Sequence, residues 1–412
     1  MAMFHGYRLH FYKRHLASAL GLLSAFYLGP ALAQNTLQNT DPLQFQAGVV
    51  LRTDSNLFRL PGNANVKALT GASDASETIT NSSLGASLHT KQSQQTIDLS
   101  ASILNNDYQK FNYLSYTGAN YSAAWGLNFG SDWNGRLSST RSETQNSFTD
   151  YNNYTQRNVN TISSTNLDVD YTLAPSWHLT GGVFTTRNVN EQQLLSNSDT
   201  SSAGNNAGAS YTPSSGNSMS VTVRSSNGSN YNLPAALNID NTFYQQDNIF
   251  QVNLLADSGS TFTASLDPFT YSQPSASQRN YSGTNTTLQY NWLYSAHTTL
   301  GAGYQHTVST YATANTNYSQ TDTVTLSPVW QISAKTALRL QQQWSSIDYV
   351  QFSGVAGADR QDQINDTSIS LFWTPNRFLS LSVALEDLSR SSNRPGLDFQ
   401  TQLITLNAQL SY

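Results

Sequence analysis

The feature that most constrains this chain is a strict alternation of apolar and polar residues. In residues 121–129 every second side chain is apolar or aromatic, and residues 177–183 and 379–385 show the same pattern. A period of two over roughly 9 to 11 residues is typical of a β-strand with one apolar and one polar face. The chain is therefore predicted to be all-β.

Short turn signals recur about every forty residues along the chain. Between successive turns lie two alternating segments separated by a longer polar stretch, which predicts 18 antiparallel strands with both termini on the short-turn side. Sixteen strands is the second choice, because the segments 217–224 and 261–266 are short. The predicted turns are 90–95, 130–132, 174–176, 213–217, 257–260, 295–298, 333–336 and 375–377. The polar stretches predicted as long extracellular loops are 53–78, 141–157, 187–200, 225–241, 268–280 and 348–362.

Composition separates a membrane barrel from the other chains that could alternate in this way. Only 38% of the residues are hydrophobic and 11% charged, which suits a soluble globule of this length poorly. Disordered chains are poor in aromatic residues, whereas this one has 22 Tyr, 17 Phe and 7 Trp. A soluble sandwich or propeller also alternates and remains the alternative.

Tryptophan placement favours the membrane, because indole rings prefer the boundary between lipid and water. Five of the seven Trp lie next to the short turns and are predicted to form a membrane-interface girdle there: Trp133, Trp177, Trp292, Trp330 and Trp373. The tyrosines toward the long-loop ends are predicted to form the second girdle: Tyr108, Tyr113, Tyr116, Tyr151, Tyr154, Tyr271, Tyr281, Tyr311 and Tyr349. The predicted fold class is a transmembrane outer-membrane antiparallel β-barrel.

The N-terminus resembles a secretory signal peptide. Arg8, Lys13 and Arg14 precede an apolar run over residues 16–28, and a small-residue cleavage motif follows at residues 31–33. The domain organisation is therefore predicted as a signal peptide over residues 1–33, which is cleaved, and a single barrel domain with long extracellular loops over residues 34–412. This leader predicts export to the outer membrane of a Gram-negative bacterium.

The C-terminal residues alternate up to a terminal aromatic, as outer-membrane barrels commonly do. Leu406, Ala408, Leu410 and Tyr412 are predicted to be the signal that the outer-membrane assembly machinery reads. That machinery and outer-membrane lipid are the expected partners. A nucleic-acid partner is not expected, since the sequence has no basic patch.

Alternation also assigns polar side chains to the interior of the barrel. If Leu137, Leu167, Val223 and Leu340 face lipid, their neighbours face the lumen, because a charged side chain in the middle of the lipid face costs about 2 to 4 kcal/mol. These charges could pair with one another and stiffen the wall, or they could select solutes. The lumen-lining candidates are Arg136, Asp168, Asp170, Arg224, Arg339, Gln341 and Gln343.

No constellation in the sequence indicates catalysis. Cysteine is absent, and the predicted mature chain keeps four histidines with no metal-ligand spacing. A serine near a histidine carries little information in so serine-rich a chain. We therefore predict no enzyme activity, no catalytic residues, no metal and no cofactor.

Several strings of the sequence are similar to a known family of outer-membrane proteins. They are DPLQFQAGVVLRTDSNLFRLP from residue 41, LAPSWHLTGGV from 173, SPVWQISAKTALRL from 327 and TPNRFLSLSVALE from 374. They resemble the EpsL-type outer-membrane proteins, which are encoded with exopolysaccharide biosynthesis genes and exosortase systems and fall within a broader group of β-barrel porins. The resemblance brings no set of site residues that could be carried over.

The resemblance implies a channel component for exopolysaccharide export or secretion, with polysaccharide and other export components as partners. Two alternatives stay open on the residues alone. One is a general diffusion porin for small solutes. The other is a non-conducting surface anchor for extracellular polysaccharide.

Overall fold

The structure is a computed structural model that describes residues 42–149, 155–192, 199–231, 242–256, 259–311, 316–351 and 359–412. Within these ranges the chain forms eighteen β-strands, one short α-helix, α1 (Val66–Thr70), in the first loop, and two 3-10 helices at Asn112–Leu114 and Ser277–Arg279. None of the helices in the described ranges is long and apolar enough to cross a membrane. The strands are β1 Leu43–Asp54, β2 Glu77–Gln92, β3 Gln95–Tyr108, β4 Tyr116–Phe129, β5 Trp133–Gln145, β6 Val159–Ala174, β7 Trp177–Asn190, β8 Asp199–Tyr211, β9 Ser218–Tyr231, β10 Thr242–Leu255, β11 Thr261–Ser272, β12 Tyr281–Ser295, β13 Thr298–Thr310, β14 Thr316–Ser333, β15 Thr336–Gln351, β16 Arg360–Asn376, β17 Leu379–Ser392 and β18 Phe399–Ser411.

Each strand pairs antiparallel with its neighbours in the sequence, and the sheet closes on itself. The closing pair is β1 with β18, in a register that sets Leu51 opposite Leu406 and Ala47 opposite Leu410. Closure leaves no strand edge with unpaired backbone groups, which is the condition for a sheet to exist in lipid. The prediction of 18 strands is therefore confirmed, and the second choice of sixteen is wrong.

All eight predicted short turns lie between consecutive strands of the structure. The predicted loops are too wide, because the strands run 12 to 18 residues and continue beyond the alternating stretch. Residues 225–231 were assigned to a loop and belong to β9, and residues 268–272 belong to β11. These two extensions explain why the alternating segments on which the sixteen-strand count depended look short. The predicted signal peptide lies outside the described residues.

The outer face of the wall carries an apolar belt on the short-turn half of the barrel. On β16 the outward residues are Trp373, Leu371 and Ile369, followed by Thr367 and Asn365 toward the long-loop end. The outer face is therefore apolar beside the short turns and polar toward the long loops. This pattern is expected if the bilayer surrounds the short-turn half of the barrel.

The five tryptophans of the predicted girdle lie within three residues of the short-turn ends of their strands, with side chains 43 to 52% exposed. Trp133 packs on Tyr171 of β6, and Trp177 on Tyr211 of β8, with ring centroids 4.6 and 4.9 Å apart. Their contact with the lipid boundary stays a prediction. The second girdle is predicted wrongly in part, because Tyr108, Tyr271 and Tyr349 are buried at 3 to 6% exposure and cannot reach lipid. Tyr151 and Tyr154 lie outside the described residues.

Candidate functional site

The lumen is lined by the strand faces opposite to the apolar belt. Leu137, Leu167, Val223 and Leu340 are exposed on the outside at 41 to 44%. Alternation therefore places their neighbours on the inner face. All seven predicted lumen residues lie there: Arg136 on β5, Asp168 and Asp170 on β6, Arg224 on β9, and Arg339, Gln341 and Gln343 on β15. Their contact with a solute stays a prediction.

A mixed row of charges crosses the inner wall at its short-turn half. Arg136 lies directly opposite Asp168 in the strand register, and its Nη1 is 3.6 Å from Oδ2 of Asp98 on β3. His89 of β2 contacts the same Asp98. Gly182 makes room for this row, since a Cβ there would lie 2.7 Å from Oδ1 of Asp168. These contacts are of the kind expected if the inward charges pair with one another and stiffen the wall.

Two inward arginines are held differently. The guanidinium of Arg224 lies 3.9 Å above the ring of Phe184, and that of Arg339 lies 5.7 Å from the ring of Phe372. Phe184 reaches Arg224 over Gly204, where a Cβ would collide with the ring at 2.5 Å. In the described part of the chain neither arginine forms an ion pair, and the Nε of Arg224 is buried without a hydrogen-bond partner. Although Asp247 lies directly opposite Arg224 in the strand register, both cations are candidate contacts for a passing anionic group.

A recess of about 290 Å³ opens in the inner wall on the other side of the barrel. It lies between the inward faces of β1, β2, β16, β17 and β18 and is floored by small residues such as Gly48, Ser83 and Ser382. Asn407 and Gln409 of β18 add amide groups. Val50, Phe372 and Ala384 add apolar surface, so the recess combines hydroxyl and amide groups with apolar side chains, carries no charged one and suits uncharged solutes.

Three loops fold inward at the long-loop end of the barrel and pack into one hydrophobic cluster. Its centre is Phe58 of the first loop, with centroids 4.7 Å from Phe111 and 4.9 Å from Phe148 of the next two loops. Ile79 and Tyr108, on the inward faces of β2 and β3, complete the cluster with the strand ends. The cluster therefore fills part of the barrel mouth.

The loop after β5 also reaches across the mouth. Nη1 of Arg390 on β17 donates a 2.6 Å hydrogen bond to the backbone oxygen of Thr149 in that loop. Five strands, β18 and β1 to β4, separate β17 from β5 in the closed sheet. Arg390 is 4% exposed, donates 2.7 Å to the Leu397 oxygen and lies 3.8 Å from Asp362. The loop and this arginine together narrow the entrance.

Ion pairs fix the loops at the rim outside the apolar belt. Arg157 pairs with Glu191 and donates 3.0 Å to the Ser115 oxygen of the neighbouring loop. The hydrogen bond from Arg157 holds the pKa of Glu191 below its ordinary value. Lys110, followed by Ser76, lowers the pKa of Asp74 in the same way. Both carboxylates therefore stay charged at neutral pH and hold the loops in place.

Sequence reasoning missed the mouth and three histidine pairs. Phe58, Phe111 and Phe148 lie in stretches without periodicity, and their only signal is that large aromatic residues occur in otherwise polar loops. His178 approaches Asp170 at 3.1 Å, and His306 approaches Asp322 at 2.9 Å, besides the contact of His89 with Asp98. In the described part of the chain no three His, Cys, Asp or Glu residues are grouped so that they could hold a metal.

Taken together, the closed 18-strand wall, its apolar belt and its polar interior define a porin-type outer-membrane β-barrel. A family model described as "Putative beta-barrel porin 2" matches residues 271–412. No curated protein matches the chain.

Solved structures with the same fold are outer-membrane porins of low sequence identity. A BenF-like porin from Pseudomonas fluorescens is 13% identical, with a TM-score of 0.54 over 90% of this chain and 99% of the other. OpdK from Pseudomonas aeruginosa is 13% identical, with a TM-score of 0.52 over 90% and 99%. OccK2 from Pseudomonas aeruginosa, solved with glucuronate, is 12% identical, with a TM-score of 0.52 over 90% and 98%. At these identities the likeness shows the fold.

Proposed function

We propose that the protein is a passive channel for small polar solutes across the outer membrane. A barrel of 18 strands encloses a lumen wide enough for water unless loops narrow it. The observation that carries the proposal is the loop held across the mouth by Arg390, combined with a polar inner wall. Such an entrance passes small solutes and hinders long polymers.

Exopolysaccharide export is the second candidate, supported by the EpsL-type sequence strings and by the uncharged recess beside β18. Hydroxyl and amide groups can hydrogen-bond to a glycan weakly and repeatedly, as passage requires. The inward loop cluster disfavours export, because a polymer would have to displace Phe58 and its partners from the mouth. A non-conducting surface anchor is the third candidate, and it requires that no solute pass at all.

Size-graded uptake separates these functions. The purified chain is placed in liposomes, and swelling is followed with neutral sugars from a pentose to a pentasaccharide. We expect fast entry of the small sugars and a steep fall for the larger ones. Rapid entry of the pentasaccharide would contradict a small-solute channel and favour polymer export. Absence of entry for every sugar, together with absence of ion current in planar bilayers, would favour the anchor.

A further inference from the structure

A polar groove runs along the outer surface of the wall, on the side turned away from the lumen. It has a volume of about 580 Å³ and crosses β14, β15, β16 and β17. The strand registers arrange its outward residues in two straight cross-strand rows. The upper row is Asp322, Ser346, Gln363 and Ser391, and the lower row is Val324, Trp344, Asn365 and Ser389.

The groove lies at the upper edge of the apolar belt. Two rows below its lower row, Leu340, Ile369 and Leu385 lie side by side and face lipid at 41 to 50% exposure. Since residues two apart on a strand are separated by about 6 to 7 Å, the groove begins within about 15 Å of the lipid-facing row. One polar row, Gln342, Thr367 and Asp387, separates the groove from that lipid-facing row, so the groove lies just above the apolar belt, at the height expected for the headgroup layer.

The lining has the chemistry of a carbohydrate site. Trp344 exposes 45% of its surface at the floor, and an indole offers both an apolar face and a donor. Among the described contacts, the amide of Gln363 and the hydroxyls of Ser346 and Ser391 carry no hydrogen bond. The Asn365 oxygen accepts 2.6 Å from Gln342, which leaves its amino group free to donate.

The charges around the groove exclude a phosphate as the main ligand. The only charged side chain on its outward rows is Asp322, which accepts hydrogen bonds from Tyr304 at 2.6 Å and contacts His306 at 2.9 Å. Arg339, Arg360 and Arg390 all point inward, so the outer face of the described residues of β14 to β17 carries no lysine or arginine. Neutral hydroxyl groups match this surface, whereas phosphates would meet a carboxylate and no cation.

We propose that this groove binds neutral sugar residues of the lipopolysaccharide core in the surrounding outer leaflet. The occupant follows from position, because lipopolysaccharide is the component of that leaflet that brings hydroxyl-rich sugars against the outer wall just above the lipid. Trp344 stacks on a sugar ring, and Gln363, Asn365 and the serines hydrogen-bond to its hydroxyls. The site is independent of the channel, since every one of these side chains faces away from the lumen.

The test is a titration of the full chain, purified in detergent, with core oligosaccharide released from lipopolysaccharide by mild acid and therefore free of lipid A. We expect saturable binding that falls about tenfold or more in Trp344→Ala, because a central aromatic contact commonly carries that much affinity. Trp330→Ala is the matched control, since Trp330 is also exposed on the outside of β14 but lies at the short-turn end. It should bind like the unaltered protein.

A second variant, Gln363→Ala with Asn365→Ala, removes the exposed amides and leaves the indole in place, so that a folding defect of one variant does not decide the result. Heat-modifiable migration checks that each barrel is folded, and swelling rates should be unchanged in all variants. The proposal would be overturned if the unaltered protein failed to bind the oligosaccharide. It would also be overturned if both Trp344→Ala and the amide variant bound the oligosaccharide as tightly as the unaltered protein does. Binding to lipid A vesicles but not to the oligosaccharide would overturn it as well, in favour of an acyl or phosphate contact.

Discussion

Among single residues, Arg224 is the first side chain to test as a selectivity group. Its guanidinium faces the lumen and lies over the ring of Phe184, and it forms no ion pair in the described part of the chain. Because a fixed inward charge biases the local concentration of ions, Arg224→Gln should shift selectivity toward cations, read as the reversal potential in a salt gradient. Arg187→Gln, on the outward face of β7, removes the same charge and should leave the reversal potential unchanged. Equal shifts in both variants would show that net charge alone is responsible.

Replacing the two aspartates of β6 should shift the ion selectivity in the opposite direction. Asp168 lies opposite Arg136, and Asp170 lies 3.1 Å from His178. Replacing both by Asn frees Arg136 from one of its neighbouring carboxylates, so selectivity in planar bilayers should move toward anions. Folding should be nearly unaffected, since both side chains line the polar interior. If the reversal potential does not move, this row is a structural ion-pair network and lies outside the solute path.

At the scale of elements, the short turns could be predicted from the sequence and the strand ends could not. Alternation arises only where one face meets lipid and the other water. Residues 225–231 continue β9 above the belt, where the outer face no longer meets lipid, so small and polar residues occupy both sides and the period disappears. The mouth escaped prediction for a related reason: Phe58 and Phe148 meet through loops whose packing partners are far apart in the chain.

The loop that crosses the mouth gives the clearest prediction for an element. Arg390→Ala removes the hydrogen bonds to the oxygens of Thr149 and Leu397, so the loop should detach from β17 and single-channel conductance should rise. Losing these bonds to a charged donor costs about 1.5 to 3 kcal/mol each locally, which the closed barrel tolerates. Arg390→Lys, which keeps the charge but not the forked geometry, should give an intermediate conductance. An unchanged conductance and an unchanged sugar cut-off in Arg390→Ala would show that the loop does not limit passage.

For the whole molecule, closure of the barrel depends on its last residues. The backbone groups of Tyr412 and Phe45 exchange hydrogen bonds of 2.8 and 2.9 Å, and Leu410 is opposite both Ala47 of β1 and Leu379 of β17. The ring of Tyr412 stacks on Phe378 with centroids 5.9 Å apart. The C-terminus therefore seals the seam between the first and last strands at the short-turn side.

Deleting Leu410 to Tyr412 should leave backbone groups of β1 and β17 unpaired at the seam, and each unsatisfied group in lipid costs several kcal/mol. We expect the protein to disappear from the outer-membrane fraction, measured by immunoblot with and without heating. Tyr412→Phe retains the backbone bonds and the stacked ring, so it should accumulate at normal levels. The alternation of Leu406, Ala408, Leu410 and Tyr412 predicts this dependence from sequence as an assembly signal, whereas the structure gives it a second cause in the closing register. Normal amounts of heat-modifiable protein after the deletion would contradict both causes, because each requires the terminal residues to be present.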